Sequence, residues 1–173
     1  KKEVKMKEAF LDHETTGTDY LKHGIYQIGI IIRNNNQITD MAEFNCDIFS
    51  DDEINPEAFD PKNTNVKPED LRNYPDPYEI YLKFTELLLK HVDRFDKKDK
   101  LFFINFGAEF DSKFLRRWFE SNGDDFYGSY FWHPPLEVQS LALEFLKERR
   151  DKIANFKLST VCKELEIDVF FFH

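Results

Sequence analysis

The sequence predicts an α/β fold, a mixed sheet with helices packed on it. Three observations lead there. Apolar runs of strand length open the chain, at Lys7–Asp12, Tyr26–Arg33 and Asp40–Phe49. A tetrad that is apolar at every position, Leu101–Ile104, comes later. Around it lie segments whose apolar residues recur at helical spacing. Strands first, then helices alternating with a further strand, is the pattern of a sheet covered by helices.

Lys7–Asp12 reads as the first strand, and the Ile-rich run Tyr26–Arg33 as a second, buried one. "RNNNQIT" (Arg33–Thr39) is a polar turn leading into a third strand, Asp40–Phe49, which gives an antiparallel meander. Ser50–Pro77 is rich in Asp, Asn and Pro and predicts loop with short helical pieces, one of them starting at Pro68. Pro77–Val92 has Ile80, Leu82, Phe84, Leu87, Leu88 and Val92 at mostly helical spacing. After the charged loop Asp93–Lys100 comes the central strand Leu101–Ile104. Helices are expected over Phe110–Ser121, Leu136–Arg149 and Lys157–Leu165. No linker or repeat divides the chain.

With 173 residues, 41% of them hydrophobic and 19 of them Phe, the chain is long enough for one packed domain whose core Phe should dominate. The net charge of −9 excludes attraction of nucleic acid by the overall field. A phosphate-bearing partner must then be held by local cations or bound metal ions. Cys46 and Cys162 lack metal-ligand spacing and read as buried reduced thiols, which suits a cytoplasmic protein. The charged opening "KKEVKMKEAF" has no apolar signal core, and no apolar run approaches the roughly 20 residues of a membrane span.

Asp12 and Glu14 stand two apart where the first strand leaves the core, so both point to one side. Two like charges that close are costly unless neutralised, and hard Mg²⁺ or Mn²⁺ prefers carboxylate oxygen. An isolated Asp-x-Glu is more often a pair of solvated acids. The Thr15-Thr16-Gly17 turn that follows offers hydroxyls and a backbone open to close approach. A third acid, Asp111, lies near a helix start just past the central strand, beside an apolar stripe of Phe110, Phe114, Leu115 and Trp118. For a lone Asp there, a favourable helix dipole is explanation enough.

Taken together, "FLDHETTG" (Phe10–Gly17), "IYQIG" (Ile25–Gly29) and "NFGAEFDSKFL" (Asn105–Leu115) resemble the DnaQ-like (DEDDh-type) 3′→5′ exonuclease family. "NPEAFDPKNTNVKPEDL", "LEVQSLALEFL" and "NFKLSTVCKELEID" are similar to its linking segment and later helices, so the likeness covers almost the whole chain. It implies a ribonuclease-H-like fold: a five-stranded mixed sheet, with a three-strand antiparallel meander plus parallel strands, flanked by helices. It implies hydrolysis at single-stranded DNA or RNA 3′ ends, releasing nucleoside monophosphates, with two Mg²⁺ or Mn²⁺ ions. Asp12 would bridge the ions, with Glu14 and Asp111 as further ligands. Thr15, Thr16 and Gly17 would bind the terminal nucleotide. Proofreading beside a DNA polymerase subunit and RNA trimming are the roles implied.

Two departures qualify the likeness. The family's third motif runs from a His to an Asp five positions later; His173 takes the first place, as general base, and the final Asp has no counterpart. Residues 1–173 are therefore expected to form a single exonuclease domain cut short within that motif. In the second motif a family His-Asn pair is replaced by Phe106 and Gly107. These departures motivate a second reading, a catalytically impaired DnaQ-like module that binds nucleic acid or protein. Tyr20 and Tyr26 are candidates for base stacking, and Lys113, Arg116 and Arg117 for phosphate contacts. His13 should face away from the two acids flanking it.

Overall fold

The computed structural model describes residues 6–62 and 64–168. His173 lies outside them. Five strands, β1 (Lys7–Thr15), β2 (Ile25–Asn34), β3 (Gln37–Asn45), β4 (Phe102–Asn105) and β5 (Leu136–Glu137), form one sheet in the order β3-β2-β1-β4-β5. The β1–β2 and β2–β3 pairs are antiparallel, while β1–β4 and β4–β5 are parallel. The expected meander plus parallel strands is therefore present.

Local chemistry sets the boundaries. Asn35 and Asn36 both have positive φ, 49° and 64°, so two residues close the β2–β3 hairpin and both strands reach further into the expected Arg33–Thr39 turn than the sequence suggests. β3 in turn stops at Asn45 rather than Phe49. Along β2, Ile28, Ile30 and Ile32 are buried while Gln27, Gly29 and Ile31 are half-buried. That alternation marks a sheet with one fully covered face.

Helix α1 (Pro77–Leu89) is started by Pro77 and by the Asp76 carboxylate, which accepts from the Tyr78 amide at 2.8 Å. Two short 3₁₀ turns, Pro56–Phe59 and Pro68–Asn73, fill the proline-rich segment before it. Helix α2 (Ala108–Ser121) contacts β4, β1 and β2, and α1 contacts β3. Their shared aromatic seam has Phe84 edge-on to Trp118 at 6.0 Å and to Phe119 at 6.1 Å. Phe is divided between interior and surface: Phe84, Phe103, Phe114 and Phe119 are buried, whereas Phe95, Phe126 and Phe145 face solvent.

The expected helix over Leu136–Arg149 is split. Leu136 and Glu137 pair with Ile104 and Asn105 as β5. Helix α3 spans Val138–Phe145, and a 3₁₀ turn follows at Lys147–Arg149. Two residues are too few to leave a period-2 signature in the sequence. A short α4 (Leu158–Glu164) packs Val161 against Ala142 and Leu146.

Candidate active site

Strands β1, β4 and β5 run parallel, so their carboxyl ends open on one edge of the sheet, the place where such sheets bind ligands. Each end carries a polar residue: Asp12 and Glu14 on β1, Asn105 on β4, Glu137 on β5. The loop after β4 leads at once into α2, which brings Asp111 to the same edge.

Gly107 makes that entry possible. Its φ is +133°, a conformation that L side chains rarely adopt, and it stands immediately before the first residue of α2. Its amide donates to Glu137 Oε1 at 2.8 Å, and the Gln139 amide donates to the same oxygen at 3.0 Å. Helix α2 begins two residues earlier than expected, at Ala108. Ala108, Asp111, Leu115 and Trp118 lie on one buried stripe, and Phe110 is the residue left outside it. Asp111 is thus not beside the core-facing stripe but on it, only 6% exposed.

Its carboxylate meets two neighbours. Asn105 Nδ2 donates to Asp111 Oδ2 at 2.6 Å. The buried imidazole of His13 puts Nδ1 3.1 Å from Asp111 Oδ1. That approach is too oblique for a hydrogen bond, and neither ring nitrogen of His13 has an aligned partner. His13 does turn to the face opposite Asp12 and Glu14, as β-strand alternation requires, and that face lies under Asp111.

Asp12 and Glu14 are open to solvent but hemmed in by protein. Partial burial pushes the Asp12 carboxyl above its ordinary range, and the Asp111 charge pushes the same way; His13 and Asn105 act against them. Glu14 is raised by burial first, then by Asp12 and Asp111. The Asp111 charge thus acts on both Asp12 and Glu14, and the Asp12 charge on Glu14. Neither Asp12 nor Glu14 has a Lys, Arg or His ion-pair partner among the described residues.

The Thr15–Gly17 turn walls the site. Thr15 Oγ1 donates to the Gly17 carbonyl at 2.8 Å. Thr16 is fully buried; its hydroxyl donates to the Glu53 carbonyl at 2.6 Å and accepts from the Gly24 amide at 3.0 Å. Its hydroxyl thus holds the turn in place. A Cβ on Gly17 would come within 2.5 Å of the His23 ring, so the turn has no room for a larger residue.

A hard-oxygen donor set without a neutralising cation suits a divalent ion. Among the described residues, no three His, Cys, Asp or Glu side chains already stand at ion-holding distances.

Residues 9–167 match the family RNase_T, described as "Exonuclease". The chain belongs to this exonuclease family. Product-bound exonuclease I superposes on the exonuclease domain with a TM-score of 0.72 at 18% identity, covering 94% of this chain and 39% of that one. E. coli exonuclease I in complex with a dT13 oligonucleotide gives the same score and identity, over 94% and 36%. A zinc-bound E. coli exonuclease I–ssDNA complex gives 0.71 at 17%, over 94% and 36%. At that identity the likeness is one of fold, and the chain spans less than two-fifths of the length of these three structures. No curated protein matches the sequence.

Around the site of this exonuclease domain the remaining candidates separate. Tyr20 is half-buried beside α2, with its ring 6.4 Å from Phe114. Tyr26 is buried and stacked on Phe59 at 5.4 Å, which commits it to packing. Arg117 donates to the buried Asp52 carboxylate at 2.8 Å, whereas Lys113 pairs with Glu109. Both cysteines are free and buried, and burial pushes the Cys46 thiol up to about 12. Among the described residues no helix is long and apolar enough to cross a membrane. The contributions of Asn105 and Glu137 escaped sequence reasoning. Their only signal was position: each ends a strand parallel to β1.

Proposed function

We propose that residues 1–173 supply one exonuclease domain that removes nucleoside monophosphates from single-stranded 3′ ends, with two divalent ions, Mg²⁺ or Mn²⁺. What supports this is that the strand and helix ends carrying Asp12, Glu14 and Asp111 lie on one edge of the sheet, with the Asp12 and Glu14 carboxyls raised by burial first and by neighbouring carboxylate charge second. Asp12, Glu14 and Asp111 would hold the ions. When bound there, divalent metal supplies an activated water and charge to stabilise the leaving 3′-oxygen. Asn105 fixes the Asp111 carboxylate through its amide. The Thr15–Gly17 turn, locked by Thr16, presents backbone to the terminal nucleotide. His173 takes the general-base role, for which an unperturbed pKa of about 6.5 is suited. Single-stranded nucleic acid as substrate class is supported by the exonuclease I complexes with oligonucleotide.

The test is release of mononucleotides from a 3′-labelled oligonucleotide with Mg²⁺ or Mn²⁺. Rapid loss of the 3′ label, with 5′-labelled product shortening one nucleotide at a time, is expected. Asp111→Asn should abolish it. Absence of release by the full-length protein, or full activity in the Asp111 variant, overturns the proposal. Matched DNA and RNA oligonucleotides then separate a proofreading role beside a polymerase subunit from RNA trimming. A second reading, binding without cleavage, is favoured by Phe106 and Gly107: Phe106 packs with Ala142 and Leu146 and Gly107 turns the backbone, so neither offers a side-chain contact to substrate.

A further inference from the structure

Two cavities lie along the outer side of α2. The first, of about 390 Å³, starts at Gly107 beside the acid site and is bounded by Tyr20, Phe110 and Gln139. The second, of about 530 Å³, lies further from the acids, between Arg116, Tyr127, Trp132 and His133. Both are bordered by Glu109, Lys113 and Glu137, so they form one trough. Each is of the size of a small-ligand site.

The trough's acids are already engaged. Glu137 accepts the Gly107 and Gln139 amides. Glu109 pairs with Lys113 at 2.6 Å. The Arg116 guanidinium has no carboxylate partner among the described residues and lies 4.7 Å from the Tyr127 ring centre. Lys100 stands 5.5 Å from the Trp132 ring centre. Arg150 likewise has no carboxylate partner among the described residues and lies 4.3 Å from the Phe156 ring centre, but it borders neither cavity; Arg116 borders the second one together with the half-buried Trp132. Its chemistry suits a phosphodiester for the cation and a base for the ring.

We propose that this trough is a second seat for single-stranded nucleic acid, taking nucleotides upstream of the cleaved end, with Arg116 on a backbone phosphate and Trp132 against a base. This rests on the nuclease reading above and adds the path of the strand beyond the terminal nucleotide. Arg117, tied to Asp52, has no part in it.

The experiment is anisotropy of 5′-fluorescein octanucleotide and trinucleotide against the full chain in EDTA, over a range of salt, with cleavage kinetics in Mg²⁺ alongside. The wild type should bind the octanucleotide at least ~10-fold tighter than the trinucleotide. Arg116→Gln should remove most of that advantage and lower the salt slope by about 0.7, the share of one phosphate contact to a single strand. Arg116→Lys should restore the slope. Trp132→Phe should keep the advantage, and Trp132→Ala should lose it with the slope intact. A length advantage and salt slope in Arg116→Gln equal to wild type overturns the trough while leaving the nuclease reading standing. A wild type that cleaves but shows no length advantage does the same. A wild type that neither binds nor cleaves overturns both.

Discussion

Asp111 fills a position that a purely structural helix would give to an apolar side chain. It lies on the buried stripe with Ala108, Leu115 and Trp118, and among the described residues its carboxylate is met by the Asn105 amide and the flank of the His13 ring. A buried, under-compensated carboxylate costs stability, so its presence points to a role outside folding. The same argument extends to Asp12 and Glu14. Folding raises both above their ordinary values of 3.8 and 4.5. The folded protein thus binds protons that the unfolded chain has released. Their ionisation opposes folding at neutral pH, and that opposition fades as pH falls through the raised values toward the ordinary ones. Asp12→Asn should therefore melt higher than wild type in EDTA at pH 7, with the gap narrowing toward pH 4. A variant that melts lower at pH 7 would contradict a repulsive acid cluster. The identities of these three residues were legible in the sequence. The buried setting of Asp111 was not read from it: the i, i+4, i+7 spacing to Leu115 and Trp118 was the available signal, but an acid near a helix start is already explained by the helix dipole.

At the scale of elements, the site is made by parallel strand ends and a tight strand-to-helix turn. The long strands and helices α1 and α2 were legible because their periods are long enough to register. Strand β5 was hidden by its brevity, and the hairpin length by the tolerance of Asn35 and Asn36 for positive φ. Also hidden was the tie between α2 and the loops that carry the Thr15–Gly17 turn. Arg117 on α2 bonds Asp52 at 2.8 Å, the Asp52 side chain is only 1% exposed, and the same Asp52 accepts from the Phe49 amide at 3.1 Å. Gly24 lies so close that a Cβ there would fall 2.3 Å from Asp52. Removing Arg117 leaves that carboxylate buried and unpaired. Arg117→Ala should lower the unfolding free energy by about 3 kcal/mol in urea titrations, and a loss under about 0.5 kcal/mol would show that the pair is not structural.

For the whole molecule, the proposed function asks an acidic chain of net charge −9 to hold a phosphate-bearing substrate, which divalent ions at the sheet edge would allow. The fold concentrates negative side chains at the carboxyl edge of the sheet and leaves Arg116 and Lys100 beside the trough that leads away from it. Divalent ions that bind only the folded site must stabilise it by mass action, by about 2.7 kcal/mol at a hundredfold excess over Kd. Wild-type melting temperature should rise with added Mn²⁺, and Asp111→Asn should respond far less. The most direct measurement is calorimetric titration of Mn²⁺ into the protein and into Asp111→Asn. Saturable binding in the wild type that is lost in the variant is the predicted result. Equal binding by both proteins, or none by the wild type, would contradict the claim that these carboxylates form a divalent-ion site.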